Sequence, residues 1–313
     1  MQMLSVPEPR ALHTKDAKDH DGGIQSLCIG RWAFGVERWA FPTQPMFPLQ
    51  TSNFPSNSAD LTRLLNKSLR DLFHLTCDPV ELRDVSYPHL ADFFVSLDGA
   101  QLRGQPPSML SLAGEPVPAL TVNSFRASGT GMSVGPAAID FLLEAKNLVL
   151  HRAPDAEGNV VLVAHRAAQG RIEIAASPAD IEALIEDVAK TEAGKHGVTI
   201  DSVQLSLRSN SPRSLATEVR FRAKKLFLTA SIRITGQVDL DAGLNARISG
   251  LDCTGDGALA GIACGVLKPQ LQKLNGRDFP LMSLPLGEIR LRDVRIATGD
   301  KLSVTAEFDS APA

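Results

Sequence analysis

The chain has 313 residues, enough for one large domain or two small ones, and a hydrophobic content of 43% supports a buried core. A formal net charge of -3 argues against a dedicated nucleic-acid binder, and 5% aromatics argue against a stacking platform for bases or sugars. No apolar run reaches bilayer-spanning length, and no basic segment followed by an apolar stretch opens the chain, so the expected location is cytoplasmic or peripheral to a membrane.

Residues 1–57 are rich in Pro, His, Asp and Ser and contain a near repeat, Arg31-Trp32-Ala33-Phe34 and Arg38-Trp39-Ala40-Phe41. Pro42, Pro45, Pro48 and Pro55 then interrupt regular structure. This segment is expected to be a poorly ordered or spurious extension, with a start nearer Met46, outside a single domain over residues 58–309; the alternative is a partner-binding arm with tryptophan anchors.

A first helix is predicted from Ser58, as N-cap, to Leu75, with Leu61, Leu64, Leu65, Leu69, Leu72 and Phe73 on one stripe. Cys77 to Leu102 reads as extended, and residues 103–118 as a Pro/Gly/Ser loop. Strands follow at Leu120–Phe125, Gly131–Val134 and Phe141–His151. A turn at Asp155–Gly158 joins the last of these to hairpin strands Val160–His165 and Arg171–Ala175.

Ser177 caps a second helix, with Pro178 at its first position and Asp180 at its third, where a carboxylate favours the positive helix end. Ile181, Leu184, Ile185 and Val188 make its buried stripe, and Gly194 stops it. Six further strands are predicted. Leu226, Leu228, Ala230, Ile232 and Ile234 alternate with Lys225, Thr229, Ser231 and Arg233, so one face is apolar and the other polar, with Phe227 the exception. The phase slip between Ile289/Leu291 and Val294/Ile296 predicts a bulge near Arg292/Asp293. A third helix, about 257–274, is apolar all round in its first half, which predicts burial on several sides; its small residues suit a close approach to a sheet or ligand.

Little in the chain points to catalysis. Cys28, Cys77, Cys253 and Cys264 have no C-x-x-C spacing; buried free thiols are expected, since a Cys253–Cys264 disulfide requires an oxidising compartment. The seven histidines show no metal-ligand spacing, although His151 and His165 can meet across the Asp155–Gly158 turn as a surface pair. No G-x-S-x-G elbow is present. Neither Ser128-Gly129-Thr130-Gly131 nor Gly255-Asp256-Gly257 sits between a parallel strand and a helix, where a phosphate cradle belongs. The expectation is a non-enzymatic protein without cofactor or metal.

The order of elements, together with Ala176-Ser177-Pro178-Ala179-Asp180-Ile181, the strand pair over 214–235, Leu284-Pro285-Leu286-Gly287-Glu288-Ile289-Arg290-Leu291 and Gly299-Asp300-Lys301-Leu302-Ser303-Val304, resembles the LmeA-like phospholipid-binding family of the tubular lipid-binding (TULIP) superfamily. The resemblance runs from Ser58 to Phe308. It implies an α+β fold, a strongly curved antiparallel sheet wrapped around a long helix with two or three helices in all, and an apolar groove for phospholipid or fatty-acid chains. The expected lining is Val219, Phe221, Leu226, Leu228, Ile232, Ile234, Leu259, Ile262, Val266 and Leu267. Arg220, Arg222, Lys224 and Lys225 are candidates for contact with anionic headgroups or a membrane surface, the alternative being a solvated outer face. The competing expectation is a structural or protein-interaction domain with a closed core and no ligand. The oligomeric state is left open.

Overall fold

The computed structural model describes residues 46–103, 112–226, 228–283 and 288–310. The expectations for residues 1–45, Phe227 and Leu284-Pro285-Leu286-Gly287 lie outside these, whereas residues 46–57, expected to belong to an extension outside the domain, are part of it: Met46–Pro48 pair with residues 161–163 and Leu49 is fully buried in the larger core. In chain order the elements are β1 (Met46–Pro48), α1 (Ser58–Leu72), β2 (Phe73–His74), β3 (Val80–Ser86), β4 (His89–Ser96), β5 (Gln101–Leu102), β6 (Val117–Val134), β7 (Ala137–Pro154), β8 (Val160–Arg166) and β9 (Gln169–Ala176). They continue with α2 (Pro178–Gly194), β10 (Thr199–Ser211), β11 (Ser214–Lys225), β12 (Leu228–Leu240), β13 (Asn245–Asp256), α3 (Ala258–Leu274), β14 (Asp278–Pro280), β15 (Ile289–Thr298) and β16 (Leu302–Ser310).

The class is α+β with mostly antiparallel strands, as expected, but the strands form two sheets. The larger runs β15-β16-β9-β7-β6-β4-β3, with β8, β1, β5 and β2 attached; β4 and β5 pair parallel to β6. The smaller is the meander β10-β11-β12-β13-β14, antiparallel throughout. Two-residue periodicity specifies which face of each strand is buried. It does not say which strands share a sheet.

The larger sheet packs its apolar face on α1. Leu61, Leu65 and Leu69 of α1 are buried against Phe93, Val95, Val122, Phe125 and Leu150. The cap is Asn57 rather than Ser58: the Asn57 side chain accepts the Asp60 N–H at 2.8 Å. The helix stops at Leu72, three residues early, because Phe73 and His74 turn extended and pair with Leu102 and Gln101. Buried Asn66 accepts the Val80 N–H at 2.9 Å, which fixes β3 against the helix. The two short strands expected before Val134 are one strand, β6, with a bulge between Gly129 and Met132. Gly131 sits there at φ 63°, a conformation glycine adopts at little cost.

The sheets meet through a third apolar cluster, Leu240, Leu244, Val294 and Ile296, with Leu215 and Leu302 packed on it. Ile296 donates its N–H to the Pro212 carbonyl at 2.7 Å across the junction. Beside it, Asp293 of β15 accepts from Arg213, in the turn between β10 and β11, at 2.7 Å and from Arg295 at 2.6 Å. The expected bulge is present between Leu291 and Asp293 and turns that carboxylate toward Arg213.

The bonds from Arg213 and Arg295 hold the Asp293 carboxyl below the usual aspartate range. A lowered folded-state pKa stabilises the protein above the unfolded value, near 4, and that contribution is lost as pH falls through the folded value. Asp293→Asn is therefore expected to lower the urea midpoint at neutral pH, with the gap from the parent narrowing at about pH 3. An unchanged gap at both pH values would show that the carboxylate does not lock the sheets.

Candidate functional site

The smaller sheet carries its apolar residues in rows set by register. Val203, Phe221, Ile232 and Gly255 form one row; Leu205, Val219, Ile234 and Cys253 form the next. Two helices cover this face unequally. α2 packs along β10, at the edge of the sheet, where its Glu182 accepts the Leu205 N–H at 2.8 Å. That bond occupies a donor the edge strand has no neighbour to satisfy. α3 packs on β13 and β12. Its close approach comes from small residues, as the sequence anticipated: a Cβ added at Gly255 would meet the Ala260 Cβ at 2.8 Å and the Ser231 carbonyl at 2.5 Å.

The same approach brings Cys253 of β13 and Cys264 of α3 into a disulfide, with their Cα atoms 5.4 Å apart. Two expectations are corrected here. Cys253 and Cys264 are bonded rather than free thiols, and Cys77 is exposed rather than buried. Cys28 lies outside the described residues.

The candidate lining residues divide by position. Phe221 and Ile232 are buried between sheet and helices, while Val219, Ile234, Leu259 and Leu267 are half-buried against that cluster, with Val266 half-buried beside them on α3. Ile262, however, is 62% exposed on the outer side of α3. The third helix is thus buried on one side only, because it contacts the sheet along one stripe and no second layer among the described residues covers the other. α2 differs in the same way: Ala189 is its one buried residue, Ile181, Leu184 and Ile185 are half-buried and Val188 is exposed. Leu226 is not on the strand face at all. It stands in the two-residue connection between β11 and β12 at φ 53°, 82% exposed. Leu228 does share the face of Ala230 and Ile232 and is 43% exposed.

A half-buried apolar strip therefore remains over β10, β11 and β12. Leu205, Val219 and Ile234 are its floor and α2 and α3 flank it; toward the hairpin tip the rows of Ile232 and Ala230 are buried, and Leu228 is exposed beyond them. The polar face is the reverse of the same strands. Glu218 bonds both Arg220 (2.6 Å) and Arg233; Arg222 and Lys224 on this face are exposed, as is Lys225, which shares the apolar side with its register partner Leu228 contrary to the expected alternation, and none of these three has an ion-pair partner among the described residues. These two bonds to arginines, Arg233 first, lower the Glu218 pKa.

Two clefts of mixed polar and apolar lining border none of the candidate lining residues. One, of about 790 Å³, lies on the outer face of the larger sheet among Asp92, Phe94, Arg126, Glu144, Arg171 and Phe308. There Arg126 and Glu144 pair across β6 and β7 at 3.1 Å, so acids and bases largely compensate one another. The other, about 430 Å³, lies over Glu218 and Arg233. His151 and His165 do meet, stacked with centroids 3.8 Å apart, and Glu288 lies 3.5 Å from His165. Burial first, then the His165 charge, lowers the His151 pKa. No group of three or more metal-ligating side chains suited to an ion occurs among the described residues, and no described helix is long and apolar enough to cross a membrane.

No protein-family model matches this sequence, and no curated protein or solved structure gives a match.

Proposed function

We propose that the protein binds the hydrocarbon chain of a phospholipid or fatty acid on the strip between α2 and α3, as a carrier rather than an enzyme. The observation that carries this is the incomplete cover of β11: its Val219 and its register partner Ile234 stay half-buried, with apolar helix faces on either side. An acyl chain laid there gains about 0.8 kcal/mol for each methylene it buries, so half a dozen methylenes supply several kcal/mol. The proposal includes the tubular lipid-binding arrangement, with bulges in the β10–β11 and β12–β13 pairs bending the sheet toward its helices. The Cys253–Cys264 disulfide favours an oxidising compartment over the cytoplasm for such a carrier.

The test is on the floor. Ile234→Trp or Val219→Trp fills half-open space and is expected to leave thermal unfolding near the parent value while lowering uptake of a fluorescent fatty acid at least about tenfold, the effect of blocking roughly 1.4 kcal/mol of binding. In a closed core the same change overpacks and costs about 1–3 kcal/mol. Ile262→Trp, on the exposed side of α3, spares stability under either arrangement and serves as the control. Native mass spectrometry without any co-purifying lipid, combined with no uptake by the parent protein, removes the proposal.

A further inference from the structure

The β11–β12 hairpin ends in a tip whose chemistry differs from the rest of the small sheet. Lys225 and Leu228 are register partners across a two-residue connection. Such connections favour Asn or Gly because their backbone enters the left-handed region. Here Leu226 occupies it at φ 53° and sends an apolar side chain almost wholly into water. Both features are unfavourable in a free protein, the first through backbone strain and the second through exposed apolar surface. Behind Leu226 the two faces of the hairpin separate by type. Leu228 and its register partner Lys225 stand on the helix side, while Arg222 and Lys224 stand on the opposite side.

We propose that this tip docks on an anionic phospholipid surface, with Leu226 and Leu228 entering the apolar boundary and Arg222, Lys224 and Lys225 at the phosphate level. The inference rests on the lipid-binding reading and names where that lipid is collected. Charge complementarity selects the occupant. Farther back on the Arg222 face Glu218 engages Arg220 and Arg233, whereas Arg222 and Lys224 beside the tip, like Arg208 at the far end of that face, have no ion-pair partner among the described residues. The nearest acid in the Arg222 row, Asp256, stands two strands away beyond Ser231. A second copy of this chain would present the same cations to one another, which like-charge repulsion opposes.

Co-sedimentation of the full chain with vesicles tests this, comparing phosphatidylcholine containing phosphatidylglycerol with phosphatidylcholine alone. Binding is expected only to the anionic vesicles and should weaken with salt. Lys224→Ala with Lys225→Ala is expected to weaken it roughly thirtyfold, and removing the same charge elsewhere with Lys67→Ala and Lys273→Ala is not. Leu226→Asn is expected to raise the thermal midpoint, because Asn tolerates the left-handed region, and at the same time to weaken attachment. A merely structural turn residue would raise stability and leave binding unchanged. Equal binding by parent and tip variants, no binding to anionic vesicles, or a concentration-dependent dimer abolished by Leu226→Asn each overturns the proposal. Uptake of fatty acid from free solution should survive in the tip variants. If uptake fails in the parent while vesicle binding persists, the groove reading falls and the docking surface stands.

Discussion

Replacing Cys253 and Cys264 together by serine is expected to destabilise the protein by about 3 kcal/mol. The bridge closes a loop with a sequence separation of 11, and the chain-entropy cost of leaving that loop open in the unfolded state is of this size. At this chain length the loss corresponds to roughly 5 °C in the unfolding midpoint. The structural consequence is local, because the bridge joins α3 to β13. Pro269 lacks the N–H that would bond the Gly265 carbonyl, so the second half of α3 holds itself together less well than an uninterrupted helix. Release of the bridge should therefore loosen one flank of the apolar strip and speed lipid exchange. Thermal unfolding of the parent with and without a thiol reductant, set beside the double serine variant, checks both points. A midpoint that does not respond to reductant would show that the cysteines are not joined in the folded protein.

Phe93→Ala is expected to cost about 3–5 kcal/mol, the range for emptying a fully buried aromatic site. Phe93 has no solvent exposure and lies at the centre of the larger core, 5.1 Å from the Phe125 ring and 5.8 Å from that of Phe47. Its ring neighbours come from β1 and β6, segments distant in sequence from its own β4, so little is free to collapse into the space left. The core it belongs to shares no buried residue with the one beneath α2 and α3. Below its new midpoint the variant should therefore take up fatty acid as the parent does, in contrast to the cysteine variant. Urea unfolding measures the first quantity and fluorescence titration the second. Loss of uptake by a still-folded Phe93→Ala protein would show that the larger sheet takes part in the site.

Local signals in the chain were reliable where one residue dictates one geometry. Ser177-Pro178 with Asp180 opened α2 at the expected residue, and the Ser177 hydroxyl accepts the Asp180 N–H at 3.1 Å. The phase slip before Val294 marked a real bulge. The Asp155–Gly158 turn brought His151 onto His165. Alternation identified the polar and apolar faces of β11 and β12, including Arg220, Arg222 and Lys224 on the wet side. These outcomes depend on interactions spanning a few residues or one hairpin, which local sequence specifies.

Exposure and partnership were decided elsewhere. An apolar helix reads as buried all round, yet α3 found only one sheet to lie on, leaving Ile262 in solvent. Leu226 continues the apolar alternation on paper, but the chain reverses there, so the residue caps a hairpin instead of lining its face. The division into two sheets, the parallel pairing of β4 with β6, and the placement of Cys264 against Cys253 all join segments through contacts that no periodicity encodes. The amino-acid order by itself determined which side of each strand avoids water and where α2 begins. Only the tertiary structure decided how much of that apolar surface is covered, because cover depends on the packing of distant helices, and it is the uncovered remainder that makes a binding surface.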